Sequence, residues 1–493
     1  MRKSLLATVL VLFCGLLAAD WLPPRRKPHR RKGGESFPPL PLPATPLRRT
    51  EKKRPPAPPA LIVRLMHGGL RSITYEGKEY KFWDWNTNPG AVKRLLKIVH
   101  SQLGWQYTQQ QISFARLEPK PEQYPILFIT GHMPLDFSDA QKKTLKEYVE
   151  AGGYVIFEAC CGARKFFDSS VKTVRAMFPG RPLVRLAPDH PLFRCRYVID
   201  KTTYNVAGKK RTVNEAPEVF GLDIGCRTAV FVFPHGISNG WDRFHDPGAD
   251  DFEFEDAERL GVNLIVYCLS YLKLGRFLSQ SRVYYEQDKP EEGAFVFAQL
   301  VYAGNWDPNP TAALNLLAEL ARCSPALAKV KRVAVDPEKD DLTRYPFLFL
   351  TGHDTLNFSD KALERLRNHI ASGGFLLVDA CCHRAEFTRS FLKTLKKIFP
   401  DSELKRLPAD HPIYSAKFKL AGVAYTEESR KVEKDLPPLP LWGVDVNGST
   451  RVIFCPYALG NGWEKESHPF TVGIESEDAL KLGVNIITYC LTH

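Results

Sequence analysis

Phe347-Leu348-Phe349-Leu350-Thr351-Gly352-His353, and further on Phe375-Leu376-Leu377-Val378-Asp379-Ala380-Cys381-Cys382, are the stretches whose reading decides the fold. Each opens on an unbroken apolar run with no polar alternation, as a strand buried on both faces requires. Between them Ser359 stands at a helix-cap position, Leu363, Leu366 and Ile370 recur at helical spacing, and Gly373-Gly374 ends the segment. A strand, a helix of ~12 residues and another strand predict a parallel pair joined by a right-handed crossover. Working outward, residues 295–301 and 331–335 read as strands. Residues 310–321 read as a helix with proline in its first turn. Leu392, Leu395 and Ile398 mark a further helix, and residues 479–491 a closing one.

The same text occurs twice. Tyr124-Pro125-Ile126-Leu127-Phe128-Ile129-Thr130-Gly131-His132 matches Tyr345 to His353 at an offset of 221. Glu158-Ala159-Cys160-Cys161 matches Asp379-Ala380-Cys381-Cys382, and Asp189-His190-Pro191 matches Asp410-His411-Pro412, at the same offset. Asn239-Gly240-Trp241 and Leu260-Gly261-Val262-Asn263 recur as Asn461-Gly462-Trp463 and Leu482-Gly483-Val484-Asn485 at 222. A period of that size is a whole domain and not a solenoid unit. The expected fold class is α/β, as two tandem flavodoxin-like three-layer domains with parallel sheets over residues 61–275 and 293–493. A polar linker at 276–292 separates them.

Composition narrows the function classes. An apolar fraction of 44% and a charged fraction of 25% in 493 residues exclude collagen, wholesale disorder and a polytopic membrane protein. The net charge of +13 suggests a polyanion partner, but residues 1–60 carry +10 of it and the remainder only +3. No specific nucleic-acid partner is therefore expected of the domains. Residues 1–20 read as a signal peptide, with Arg2 and Lys3 before an apolar run too short for the ~20 residues of a spanning helix. An uncleaved anchor is the alternative. Cys14 is a poor lipidation site, because bulky Phe13 precedes it. Residues 21–60 hold 12 of the 38 prolines and read as an extended basic linker. Its charge, over residues 25–54, suits an anionic membrane surface or envelope polymer. The expected location is periplasmic or in the cell envelope.

In doubly wound sheets, sites form beyond the carboxyl ends of the strands. The catalytic candidates are Cys381 or Cys382 as nucleophile, His353 or His411 as base, and the neighbouring Asp379. The binding candidates are His132, Glu158, Cys160, Cys161, Asp189, His190 and Trp241 in the first copy, with Asp410 and Trp463 in the second. Against thiol catalysis, no Gly-x-Cys-x-Gly elbow is present, and Asp379 close to a thiol would raise its pKa. Cysteine, histidine and aspartate are suitable metal ligands. Yet no Cys-x-x-Cys or His-x-x-x-His spacing fixes a site, so neither metal nor cofactor is assigned. A vicinal disulfide is possible, but burial as small apolar side chains is the commoner fate of cysteine. Cys268 and Cys490 recur in apolar helix patterns and read as core. Asp-His-Pro also reads as a plain turn, and each tryptophan either lines a pocket or plugs a loop.

Thr-Gly-His, Asp-Ala-Cys-Cys, Pro-Ala-Asp-His-Pro, Asn-Gly-Trp and Leu-Gly-Val-Asn, in that order, resemble the uncharacterised bacterial family called domain of unknown function 4159. That resemblance implies an exported protein of unknown activity, similar in fold to class I glutamine amidotransferases. The second copy fits more closely. The first has Glu158 for Asp379, Gly162 for His383 and an extra stretch around residues 73–82. The reading is a non-catalytic tandem module that binds an unknown protein or small molecule. The alternative is a cysteine-dependent hydrolase or amidotransferase-like enzyme, mainly in the second copy.

Overall fold

Successive residues of the apolar runs point to opposite faces of the sheets they form, and both faces are covered. In the computed structural model, which describes residues 57–75, 77–246, 248–280, 295–324 and 330–493, the first copy has twelve strands. They are β1 (Ala60–Met66), β2 (Leu70–Tyr75), β3 (Lys78–Trp83), β4 (Thr108–Ser113), β5 (Ile126–Gly131), β6 (Tyr154–Ala159), β7 (Val184–Arg185), β8 (Thr202–Val206), β9 (Lys209–Val213), β10 (Phe220–Ile224), β11 (Arg227–Phe233) and β12 (Asp250–Phe252). The second has β13 (Phe295–Leu300), β14 (Val330–Val335), β15 (Phe347–Thr351), β16 (Phe375–Asp379), β17 (Lys405–Arg406), β18 (Trp442–Val446) and β19 (Ser449–Cys455). The expected signal peptide, nearly all of the proline-rich stretch and most of the expected linker lie outside the described residues. The strand beginning at Ala60 and the helix Leu272–Gln280 extend the first copy slightly beyond the expected 61–275.

Two seven-stranded sheets result, β4-β1-β5-β6-β11-β10-β7 and β14-β13-β15-β16-β19-β18-β17. The first five strands of each are parallel, the sixth runs antiparallel to them, and the short edge strand pairs antiparallel with the sixth. Taken in order of appearance, the parallel strands run 2-1-3-4-5, the flavodoxin-like order. Ile62, Phe128, Ile156 and Phe231 pack on one face with Leu95 and Val99 of the helix Ala91–Leu103 and Leu260 of the helix Phe254–Ser270. Their neighbours Val63, Leu127, Val155 and Val230 pack on the other, with Leu145 of Asp139–Glu150 and Phe166 of Arg164–Met177. The second copy repeats this: Phe297, Phe349 and Leu377 face Leu316 and Val484, while Val296, Leu348 and Val378 face Leu366 and Leu395. Leu392, expected on the buried face of its helix, is 40% exposed, and Phe387 and Phe391 fill that face instead.

The extra stretch near residues 73–82 is the hairpin β2–β3. Residues Pro58–His493 form one compact unit, and the copies touch through their ends. The Tyr271 hydroxyl donates to the Pro469 carbonyl at 2.5 Å, and Asn305 Nδ2 donates to the Gly225 carbonyl at 2.8 Å. Asp189 of the first copy accepts the amide of Ala385, which opens the second copy's helix Ala385–Ile398, at 3.0 Å. No helix among the described residues is long and apolar enough to cross a membrane.

Candidate functional site

Strand β15 ends in Thr351-Gly352-His353, and β16 ends in Asp379-Ala380-Cys381-Cys382, so adjacent parallel strands deliver a histidine and two thiols to one point. Glycine is required before the histidine, because a Cβ on Gly352 would lie 1.7 Å from the Tyr302 hydroxyl and 2.8 Å from the Asn305 carbonyl. Gly131 has the same constraint, from Asp84 and Phe166. After each strand the chain turns sharply, and the second cysteine of each pair takes a left-handed conformation, φ 55° at Cys161 and 54° at Cys382. Such strain in a non-glycine residue is characteristic of a functional turn.

In the second copy the site is sealed, with Cys381, Cys382 and His353 at 0%, 6% and 5% exposure. His353 Nε2 lies 3.3 Å from Cys381 Sγ, and Cys381 Sγ is 3.7 Å from Cys382 Sγ. A third thiol arrives from the first copy: Cys226, in the turn between β10 and β11, stands 3.3 Å from Cys381 Sγ. Asp223, also of the first copy, lies 2.9 Å from His353 Nδ1. Burial opposes charge on His353, but the Cys382 thiolate and Asp223 overcome it and lift its pKa to about 9. Asp223, despite burial, is held well below the usual carboxylate range by His353. Burial pushes the Cys381 thiol up, whereas hydrogen bonds from Cys226 and Cys381 pull Cys382 down. Donor atoms of Cys226, His353, Cys381 and Cys382 all lie within 4.8 Å of one another. Beside this centre a cleft of about 350 Å³ opens between the copies, with Asp189, His190 and Asp223 on one side and His353, Asp354 and Arg384 on the other.

The first copy builds the same centre, but opens it. His132, Cys160 and Cys161 bring three donors within 4.8 Å, and the His132 side chain is 35% exposed. His132 is again oriented by a carboxylate, here Asp84 at 3.3 Å, which also accepts the amides of His132 and Met133. Asp84 aligns with Asn305 of the second copy and not with Asp223, so the two copies orient their histidines with non-equivalent acids. Burial weighs against a charge on His132, yet Asp84 and Cys161 lift its pKa to about 10. The hydrogen bond from Cys160, with help from His132 and Asn239, pulls Cys161 down to about 6. Acidic side chains flank Cys161: Asp246 Oδ2 is 3.3 Å from its Sγ, and buried Asp251 accepts from Asn239 Nδ2 at 2.9 Å.

The other sequence candidates have different roles. Glu158 accepts the amides of Ile237 and Ser238, and Asp379 those of Leu459 and Gly460. Each carboxylate anchors the short helix that carries Asn-Gly-Trp. Burial raises Asp379 to about 7. His190 and His411 each accept a backbone amide two residues on, and their other nitrogens meet Thr228 and Thr450. His411 therefore serves a turn and stands outside the thiol cluster. Asp410 is exposed, while its counterpart Asp189 caps the other copy's helix. Trp241 and Trp463 are plugs, 1% and 0% exposed, donating to the carbonyls of Ala257 and Ala479. Their neighbours meet the thiols: Asn239 Nδ2 reaches Cys161 Sγ and Asn461 Nδ2 reaches Cys382 Sγ, both at 3.2 Å. Asn88 and Asn309, matched at the 221 offset, contact Cys160 and Cys226 in turn. Sequence reasoning passed over all four asparagines, although Asn239 and Asn461 stand inside a quoted repeat.

Fold and site together define a tandem α/β protein with a histidine–dithiol centre at the strand ends of each copy. The family model described as Domain of unknown function (DUF4159) matches residues 74–269 and again 296–491. The chain belongs to that family, in two copies. No curated protein matches it.

Proposed function

We propose that this chain is a non-catalytic binding module whose two copies work as one body, taking a small polar ligand in the cleft between them. One observation carries the reading: the expected catalytic thiols, Cys381 and Cys382, are closed off by the first copy, and the cleft beside them is lined by polar groups from both copies. Its volume of about 350 Å³ falls at the lower end of the ~300–1,000 Å³ usual for small-molecule sites. The basic, proline-rich residues 25–54 and the apolar run before them support an exported, envelope-facing protein.

A second reading is favoured by the first copy alone. Cys161, on a strained turn with a thiol pulled down to about 6, faces His132 and through it Asp84, the order of a thiol hydrolase. The Asp246 carboxylate, 3.3 Å from Cys161 Sγ, weighs against it, because it would repel the oxyanion of acyl transfer. Assaying the chain and its Cys161→Ser variant with glutamine and p-nitrophenyl acetate separates the two readings. The binding module shows equal background turnover in both proteins. Turnover lost in the variant and in His132→Ala establishes the hydrolase.

A further inference from the structure

We propose that Cys226, His353, Cys381 and Cys382 bind one zinc-type divalent cation, which fastens the two copies together. This goes beyond the binding-module reading and does not rest on it. Three cysteines and one histidine are a common closed set for structural zinc, with tetrahedral bonds of ~2.3 Å to sulfur and ~2.0–2.1 Å to nitrogen. Those bond lengths place donor atoms roughly 3.5–3.8 Å apart. Here Cys226 and Cys381 are 3.3 Å apart, Cys381 and Cys382 3.7 Å, and Cys381 and His353 Nε2 3.3 Å. The remaining pairs lie within 4.8 Å, so shifts of no more than about 1 Å seat the ion.

Three further features point the same way. His353 presents Nε2 to the thiols while Nδ1 meets Asp223 at 2.9 Å, the carboxylate–histidine arrangement that fixes a metal-binding imidazole. Asn309 Nδ2 donates to Cys226 Sγ and Asn461 Nδ2 to Cys382 Sγ, both at 3.2 Å, and such N–H groups stabilise thiolates. Cys381 faces the amide oxygens of the same two asparagines at 3.2 and 3.1 Å, and Cys226 faces that of Asn461 at 3.8 Å, so both thiols, together with Nε2 of His353, give up a proton to solvent as the metal enters. Finally, Cys226 has no partner in the repeat. The matching turn position in the second copy is Gly448, which offers no ligand. The fourth ligand therefore exists only where the two copies touch, which is why no ligand spacing within either copy reveals the site.

The test uses the full chain, reduced, stripped with a chelator and titrated with Co²⁺ and then Zn²⁺. The proposal expects one Co²⁺ with the intense visible bands and near-ultraviolet sulfur charge-transfer band of a tetrahedral thiolate site, displaced stoichiometrically by Zn²⁺. Cys226→Ser, a near-isosteric change, weakens binding at least tenfold and dims the charge-transfer band, while Cys160→Ala/Cys161→Ala leaves both intact. His353→Gln provides a second ligand deletion in case one variant folds poorly. Absence of the tetrahedral spectrum, or a spectrum unchanged by Cys226→Ser, overturns the proposal. So does a Cys226–Cys381 disulfide recovered by peptide mapping of chain purified without reductant. Thiol-dependent hydrolysis through Cys161 would sink the binding-module reading and leave this one standing.

Discussion

Asp251 has no exposed side-chain surface, and its Oδ1 has no hydrogen-bond partner. Burial, reinforced by the charge of Cys161, raises its pKa to about 8, against ~3.9 in an unfolded chain. Between those values the folded protein holds a proton that the unfolded chain has released, so stability falls as pH rises from ~4 to 8. Asp251→Asn removes that slope. It should stabilise the protein by ~1–3 kcal/mol at pH 8 and hardly at all at pH 4, read by urea unfolding at both values. An equal effect at the two pH values would contradict the charge argument. Asn461→Ala should cost about 1–3 kcal/mol in the same assay, because it leaves buried Thr471 and Cys382 without their amide partner. The histidines and paired cysteines of both centres were legible in the sequence through their repetition. Cys226 and Asp223 were not, since they act across the boundary between copies. Asn239 and Asn461 were hidden by Trp241 and Trp463 beside them, whose size drew the binding reading and which the structure buries.

Among the elements, the parallel strands and their helices were readable because burial on both faces leaves an unmistakable apolar run. Ser359 caps its helix as the sequence suggests, accepting the Ala362 amide at 3.2 Å. The antiparallel-paired strands β7, β10, β17 and β18 escaped notice, since β7 and β17 are only two residues long at the sheet edge and β10 and β18 are next to them. The small sheet β12-β8-β9, found in the first copy, is likewise too polar and short to announce itself. The helix Ala385–Ile398 has no cap in its own copy and takes one from Asp189. Asp189→Ala should cost ~1 kcal/mol, as loss of a helix cap does, whereas the same change at exposed Asp410 should be near neutral. Equal effects in chemical denaturation would show that Asp189 serves only its own turn. Gly352→Ala should destabilise by at least ~2 kcal/mol, because the Tyr302 ring and the Asn305 backbone must both give way.

At the scale of the whole molecule, duplication does more than double a domain. The first copy closes the second copy's centre, while its own remains open beside the hairpin β2–β3, whose Phe82 ring lies 6.5 Å from that of His132. Net charge is divided just as unevenly, with +10 of the +13 before Leu61. A chain beginning at Leu61 should therefore lose most of its low-salt affinity for heparin and anionic vesicles; undiminished binding would place the basic surface on the domains. The central claim is that one centre is open and the other shut by the neighbouring copy. Time-resolved iodoacetamide labelling of the native, reduced full chain, mapped by peptide mass spectrometry, tests it most directly. Cys161 should be labelled well before Cys226, Cys381 and Cys382, which should react only on unfolding. Labelling of Cys381 or Cys382 as fast as Cys161 would contradict the account.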